Sequence, residues 1–255
     1  IMPNVYVFWD NSNIFHSAQQ VAERKEGTYS RNMLRLHFAN LMKLAAAGRN
    51  VVKAIAVGSV PPDLQALWDR MKAETNINIE LYERGADSGK EQAVDQSLQT
   101  HMLRAVTDEK EPQIAILLTG DGKGVEEGIG FLADLKRMYD AYWGIEVLSW
   151  EHSCNKDLKE WAEENGVFIN LNDYYMSVTF LEGSRLASPL SLVSRKRASL
   201  NPNYKTKLQL EREDEERRKR ENDLVKRNEE LEKQIAMLKY GQKVQSRNRS
   251  KRKKR

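Results

Sequence analysis

Short apolar runs alternate along the first part of the chain with longer stretches in which apolar residues recur every three or four positions. The short runs are typical of strands that are buried on both faces of a sheet. The longer stretches are typical of helices that pack one face against a core. The predicted strands are 5–9, 51–57, 77–82, 114–118, 145–149 and 167–169. The predicted helices are 32–47, 61–71, 91–106, 129–142 and 157–165.

This alternation predicts an α/β fold with a mainly parallel sheet and helices on both faces, because parallel strands need a crossover connection that is usually a helix. In such sheets, binding and catalytic residues collect beyond the carboxyl ends of the strands. The residues that follow predicted strands are Asp10, Gly58-Ser59, Gly85, Asp121 and Ser149-Trp150. We therefore expect the chemistry of the protein among these positions.

The pattern changes after Gly183, which predicts four segments. Residues 1–183 form the α/β domain, and residues 184–203, rich in Ser and Arg, read as a linker. Residues 204–240 have the pattern of a long charged helix, and residues 241–255 form a basic tail that we expect to be disordered. The chain is thus predicted to carry a C-terminal helical and basic extension.

The long helix contains a short heptad pattern. Leu224, Leu231 and Leu238 are seven residues apart, with Asn228 and Ile235 at the alternate positions of the same seam. An Asn at such a position often fixes the register of a coiled-coil dimer. A homodimer through this helix is one interpretation, and a solvated single helix with chance leucines is the other.

Charge is divided unevenly between the two ends of the chain. Residues 1–194 carry 19 Lys and Arg against 27 Asp and Glu, a net charge of −8. Residues 195–255 carry 22 against 10, a net charge of +12. An acidic domain with a basic extension favours a polyanionic partner such as nucleic acid. The alternative is a tail that only aids solubility.

Cysteine content and hydropathy bear on the compartment. The single cysteine, Cys154, leaves no intrachain disulfide framework. No run approaches the roughly 18 apolar residues that a membrane helix needs, and the beginning of the chain lacks the pattern of a secretion leader. We expect a soluble intracellular protein, cytoplasmic or nuclear, that does not contact a membrane.

The loop after the fourth strand, Thr119-Gly120-Asp121-Gly122-Lys123-Gly124, combines glycines with a lysine. A phosphate-binding P-loop needs Gly, four residues, and then Gly-Lys-Ser/Thr. Here Gly124 follows Lys123 and the required first glycine is absent. The Gly-x-Gly-x-x-Gly dinucleotide motif also fails, so a nucleotide loop is disfavoured.

Acidic residues suggest a metal site instead. Asp10 and Asp121 end two strands of the same parallel sheet, and Asp95 lies in the helix that precedes the fourth strand. Mg²⁺ prefers oxygen ligands and keeps several waters, so two or three carboxylates suffice to hold it. Such ions stabilise phosphoryl charge and activate water for attack on a phosphodiester. For each aspartate alone, a helix cap or turn is the competing interpretation.

Four short motifs, in this order and placement, resemble the NYN domain family of the LabA-like and PIN-like ribonuclease group. The motifs are Asp10-x-x-Asn13, Val94-Asp95-x-x-Leu98, Leu118-Thr119-Gly120-Asp121, and Asn155-x-x-Leu158 before Phe168-Ile169-x-Leu171. The resemblance covers about residues 4–181. It implies a Rossmann-like, PIN-like fold, dependence on Mg²⁺ or Mn²⁺, and endonucleolytic cleavage of RNA. We expect the RNA to be single-stranded.

The resemblance also implies roles for individual residues. Asp10, Asp95 and Asp121 would be the catalytic, metal-binding carboxylates. Asn13 would support Asp10 as a hydrogen-bonding neighbour, and Asn155 would lie near the substrate where the fifth predicted strand ends. Asn13 and Asn155 are therefore candidate substrate-binding residues.

Lys123 departs from the family pattern, which commonly has a second carboxylate two residues after Asp121. A lysine that points inward would compete electrostatically with a bound cation. It could instead contact a substrate phosphate, which makes Lys123 a third candidate substrate-binding residue. Three functions remain open: a metal-dependent ribonuclease, an RNA-binding or scaffolding module with a degraded site, and a phosphohydrolase of small nucleotides.

Overall fold

The computed structural model describes the backbone of residues 3–60, 69, 73, 78–83, 89–121 and 128–252. Side chains are described for residues 3–58, 69, 73, 96–121, 128–206 and 208–241. The predicted helix over 61–71, apart from Asp69, lies outside the described residues, as does Lys123.

The described residues form helices and strands in alternation. The strands are β1 (Val5–Asp10), β2 (Leu34–Leu36), β3 (Val51–Val60), β4 (Asn78–Glu83), β5 (Ile114–Leu118), β6 (Gly144–Ser149), β7 (Val167–Asn170) and β8 (Thr179–Leu181). The helices are α1 (Asn11–Glu26), α2 (Ser30–Met33), α3 (Phe38–Ala46), α4 (Gly89–Asp108), α5 (Phe131–Asp140), α6 (Lys156–Asn165), α7 (Tyr175–Val178) and α8 (Lys207–Arg252). A 3₁₀ turn spans Leu171–Tyr174.

Six strands form one parallel sheet in the order β4-β3-β1-β5-β6-β7. All six residues of the central strand β1 are buried, and alternate residues face opposite cores. Val7 and Trp9 pack with α1 and α3, whereas Tyr6 and Phe8 pack with α4, α5 and α6. The predicted Rossmann-like architecture, with helices on both faces of a parallel sheet, is confirmed.

The predicted helix over 32–47 is wrong at its beginning. Leu34–Leu36 form β2, which pairs antiparallel with β8 near the end of the domain. The helix begins only at Phe38, where the His37 ring accepts a hydrogen bond from the Asn40 backbone N–H at 3.2 Å. The pairing partner of β2 is too distant in sequence for local hydrophobic spacing to reveal it.

Residues 184–203, which we name the strap, pack against the sheet domain instead of forming the predicted linker. The chain divides into two compact units, 1–203 and 204–255, so the strap belongs to the first. Leu190, Leu192 and Leu200 pack against the core formed with α1 and α3. The first domain therefore ends about 20 residues later than the sequence predicts.

A buried ion cluster attaches the strap to the sheet. The Glu146 carboxylate in β6 accepts two hydrogen bonds from the Arg49 guanidinium, at 2.6 and 2.8 Å. Arg195 of the strap donates to the same carboxylate, and so does the backbone N–H of Ala198, at 2.7 Å. Arg195 also donates to the Leu44 carbonyl at the end of α3, at 2.9 Å. One carboxylate thus joins a strand, a helix end and the strap.

The pKa of Glu146 is the balance of opposing effects. Burial alone would raise the pKa, but the hydrogen bonds from Arg49 and the charges of Arg195 and Arg49 outweigh burial and lower it. Because the folded-state pKa is depressed, the carboxylate contributes stability above its unfolded pKa. That contribution is lost as the pH falls through the folded-state pKa.

The second compact unit contains α8, in which oppositely charged side chains one turn apart form ion pairs. Asp214 contacts Arg217 at 2.7 Å, and Glu216 contacts Arg220 at 3.3 Å. The helix is described to Arg252, beyond the end at Tyr240 that the sequence predicts, and so includes much of the segment 241–255 expected to be disordered. Nowhere in the described part of the chain does a helix have the length and apolar character that crossing a membrane requires.

We expect Arg195→Ala to lower the free energy of unfolding by about 3 kcal/mol at neutral pH, because it removes one cation from a buried charge cluster. The loss should shrink at acidic pH as Glu146 becomes protonated. Urea unfolding measures both effects. The exposed neighbour Lys196 supplies the control, and an equal loss in Lys196→Ala would contradict the role of the cluster.

Candidate functional site

Three adjacent strands end at one edge of the sheet. Trp9 of β1 lies opposite Leu118 of β5, which in turn lies opposite Leu148 of β6. The residues that follow these positions, namely Asp10, Thr119 and Ser149, therefore meet at the same edge. This is the edge at which open α/β sheets bind ligands.

Asp10 is held in a defined orientation. Its Oδ1 accepts a hydrogen bond from the Asn13 backbone N–H at 3.1 Å, which caps the beginning of α1. Its Oδ2 accepts one from the Thr119 hydroxyl at 3.0 Å. The residue is 5% exposed. The Asp10 carboxylate therefore caps α1, which was the competing interpretation from the sequence, and also lies at the edge where the site is predicted.

Thr119 connects the two predicted metal-site aspartates of the strand ends. Its hydroxyl donates to Asp10 and accepts a hydrogen bond from the Asp121 backbone N–H at 3.2 Å. Thr119 is fully buried, and Asp121 is half-buried. The structure therefore brings Asp10 and the backbone of Asp121 together around one side chain.

Asn13 and Asn155 both bind the loop that carries Asp121. The Asn13 Oδ1 accepts a hydrogen bond from the Gly120 N–H at 2.8 Å, and the Gly120 carbonyl accepts one from the Asn155 N–H at 2.8 Å. The Asn155 side chain accepts from the Leu158 N–H at 3.1 Å and caps α6. The Asn13 side chain thus positions the loop, while its backbone supports Asp10.

Gly120 is required by the space around it. A Cβ atom at this position would lie 2.8 Å from the Ser153 carbonyl oxygen and 2.9 Å from the Ser149 Oγ. Both distances are shorter than a carbon–oxygen contact allows. The absence of a side chain lets the loop lie against the segment that follows β6.

Two predicted site residues are not placed in the same detail. Asp95 lies in α4 as predicted, but its side chain is outside the described residues, as is Lys123. Among the side chains that are described, no group of three or more His, Cys, Asp or Glu residues could hold a metal ion. The third carboxylate of the predicted set is therefore not tested.

The donor set at the sheet edge fits a hard divalent cation. Carboxylate oxygens can bind a cation, and the hydrogen bonds from the Asn13 N–H and the Thr119 hydroxyl hold the Asp10 carboxylate at this edge. Asp121 adds a half-buried carboxylate to the same edge. Oxygen ligands of this kind are those that Mg²⁺ and Mn²⁺ prefer.

The loop after β6 contains two titratable groups that the sheet edge holds in their neutral forms. Burial raises the pKa of the Cys154 thiol. Burial and the charge of Arg24 lower the pKa of His152, whose ring contacts the Gln20 side chain at 3.0 Å. Neither group adds charge to the site at neutral pH.

Sequence reasoning did not assign roles to Thr119 or to helix α1. Thr119 stands between the buried strand and Gly-Asp, where a hydroxyl residue can reach the neighbouring strand end. In α1, Ile14, Ala18, Val21 and Ala22 are buried at helical spacing directly after a capping aspartate. Both signals were present in the sequence.

We expect Thr119→Val to lower the free energy of unfolding by about 1–3 kcal/mol, because it leaves the Asp121 N–H and one Asp10 oxygen without their buried partner. Thr119→Ser keeps the hydroxyl and should recover most of the loss. Chemical denaturation of the two variants measures the difference. Equal destabilisation by Ser and Val would contradict this role, because Ser keeps the hydroxyl that Val lacks.

Comparison with known proteins identifies the family of this chain. The chain is similar in fold to the crystal structure of a protein of unknown function from Vibrio parahaemolyticus, with a TM-score of 0.50 and 16% sequence identity over 68% of this chain and 94% of that chain. A search of curated proteins finds no match. The NYN domain family matches residues 4–171, which is more than half of the chain and contains every predicted site residue. The chain therefore belongs to the NYN domain family, which generally has a ribonuclease-like fold.

Proposed function

We propose that the domain is a divalent-cation-dependent endoribonuclease with its active site at the shared ends of β1, β5 and β6. The observation that carries the proposal is the pair formed by Asp10 and the Asp121 backbone, both bonded to the Thr119 hydroxyl. NYN and PIN-like nucleases generally use divalent metals. Asp10 and Asp121 supply the oxygen ligands, and Asp95 is the proposed third carboxylate.

The metal ion and the residues around it have separate proposed roles. A bound Mg²⁺ or Mn²⁺ supplies charge stabilisation at the phosphoryl oxygens and lowers the pKa of water. Thr119 and the Asn13 backbone each donate a hydrogen bond to the Asp10 carboxylate, which holds it in one orientation. Asn13 and Asn155 hold the Gly120 loop from both sides, which limits how far Asp121 can move. Such preorganisation favours positioning of a phosphodiester at the edge.

Substrate binding is proposed to involve cations outside the carboxylate pair. Lys123 is close in sequence to Asp121, and Lys156 follows Asn155 with a largely exposed side chain. The C-terminal extension adds positive charge that attracts the phosphates of single-stranded RNA. Such binding weakens steeply as salt concentration rises, since neutralised phosphates release counterions.

A second function is favoured by Lys123 itself. Where the family commonly has a second carboxylate, this chain has a cation, which lowers the negative charge available to hold a metal. The alternative is an NYN-fold module that binds RNA or serves as a scaffold without cleaving it. The two functions share the fold and the basic extension, and they differ in metal-dependent turnover.

The first test replaces the carboxylates. We expect Asp10→Asn and Asp121→Asn each to reduce Mg²⁺- or Mn²⁺-dependent cleavage of single-stranded RNA by at least about 100-fold, because each removes a charged ligand. Asn at position 10 can still cap α1, so the fold should persist. Cleavage is followed on a labelled RNA, with folding checked by circular dichroism.

The matched control is Asp157→Asn, which changes an exposed aspartate in the first turn of α6, two residues after Asn155. It should cleave nearly as well as the unaltered protein. An unaltered protein that binds RNA but never cleaves it with either metal would favour the module. Release of product from free nucleotides but not from RNA would favour a nucleotide phosphohydrolase.

The second test restores the family carboxylate. We expect Lys123→Asp to tighten binding of Mn²⁺ by roughly tenfold or more, because one repulsive charge becomes an attractive one. Calorimetric titration with Mn²⁺ measures the change. Lys123→Ala isolates the loss of the positive charge. Unchanged Mn²⁺ affinity in Lys123→Asp would place Lys123 away from the site.

A further inference from the structure

The helix α8 carries an apolar seam that is exposed among the described side chains of the unit 204–255. Three heptads run from Glu221 to Gly241. Their first positions are Glu221, Asn228 and Ile235, and their fourth positions are Leu224, Leu231 and Leu238. The four apolar seam residues are between 47% and 68% exposed in the single chain. Four apolar side chains on one stripe of a helix are typical of a surface that pairs with another helix.

The charges beside the seam differ from those upstream of it. Before residue 221, acidic and basic residues pair within the helix, as between Asp214 and Arg217. Glu232 cannot form an ion pair of this kind within the helix. The residues three and four positions away are Asn228, Glu229, Ile235 and Ala236. Side chains that neighbour one another on a helix are three or four residues apart. Glu232 therefore has no cation one turn away on its own helix.

We propose that α8 pairs with α8 of a second copy of this chain as a parallel, in-register, two-stranded coiled coil over residues 221–241. In this register Arg227, at the last position of one heptad, faces Glu232 of the second copy, at the fifth position of the next. The symmetry produces this ion pair twice. Each Glu232 thus gains an oppositely charged neighbour, which the positions three and four residues away on its own helix do not provide.

The seam composition agrees with this orientation and oligomer. Leu at the fourth positions with Ile at a first position favours two strands, and a single Asn at a first position fixes register. In parallel register, Asn228 faces Asn228 of the second copy, and the two amides hydrogen-bond each other. An antiparallel pair centred between Asn228 and Leu231 would lose both contacts. The Asn228 amide would face Leu231 of the second copy, and Glu232 would face Val225.

The closing experiment measures the association of the full-length chain by sedimentation equilibrium without RNA, so its outcome is independent of the proposed nuclease function. We expect a monomer–dimer equilibrium whose dissociation constant rises at least about 100-fold in Leu231→Lys, because a charge replaces a buried seam residue. Met237→Lys is the matched control. Met237 is also exposed but lies outside the seam, and its replacement should leave the constant within about threefold.

Folding of the variants is checked independently. All five tryptophans precede residue 204, so unfolding followed by tryptophan fluorescence reports on the sheet domain. That transition should not move in either lysine variant. Association that persists unchanged in Leu231→Lys overturns the proposal, as does an unaltered chain that remains monomeric throughout the concentration range.

Orientation is tested by a charge exchange. Arg227→Glu and Glu232→Arg should each weaken self-association by about tenfold, because each turns both interhelical pairs into like charges. Mixing the two variants should restore near-normal affinity, since both contacts between positions 227 and 232 then join opposite charges. A mixture no tighter than either variant alone overturns the parallel arrangement.

Discussion

The geometry of the candidate site depends on one buried hydroxyl. Thr119 at the end of β5 donates to the Asp10 carboxylate and accepts the Asp121 N–H, so one side chain joins two strands. This hydroxyl thus links the Asp10 carboxylate at the end of one strand to the backbone of the loop that follows the next. The close approach of Gly120 to the segment after β6 extends this connection to a third strand.

The sequence predicts the central sheet well, because its strands are buried on both faces and therefore appear as short apolar runs. It also predicts that Asp10 and Asp121 end strands of one sheet, since parallel strands share an edge. It does not predict β2, whose partner β8 follows about 140 residues later. Nor does it predict the strap. Arg195 lies in a Ser- and Arg-rich segment that is typical of solvated residues, and its ion-pair partner Glu146 is distant in the sequence. Local sequence patterns do not reveal interactions between residues that are far apart in the sequence.

The two units of the chain carry opposite charge, and this separates their physical roles. An acidic domain with an oxygen-rich site suits a cation, while the basic extension suits a polyanion. A parallel coiled coil would place the basic ends of two chains side by side. Two such ends can hold one RNA strand, and the second contact then benefits from a high effective concentration. The proposed attraction for RNA and the proposed chemistry of the site would thus rest on separate parts of the chain.

The strap has a consequence for how the protein is made. Glu146 and Arg195 are 49 residues apart, so the strand carrying the carboxylate leaves the ribosome well before the second arginine. At about 5–20 residues per second, the interval is roughly 2–10 s. During that time the nascent sheet has Arg49 but neither Arg195 nor the Ala198 N–H to complete the cluster. Synthesis rate over 147–198 thus sets how long the incomplete domain is exposed to chaperones, proteases and misassembly with other nascent chains.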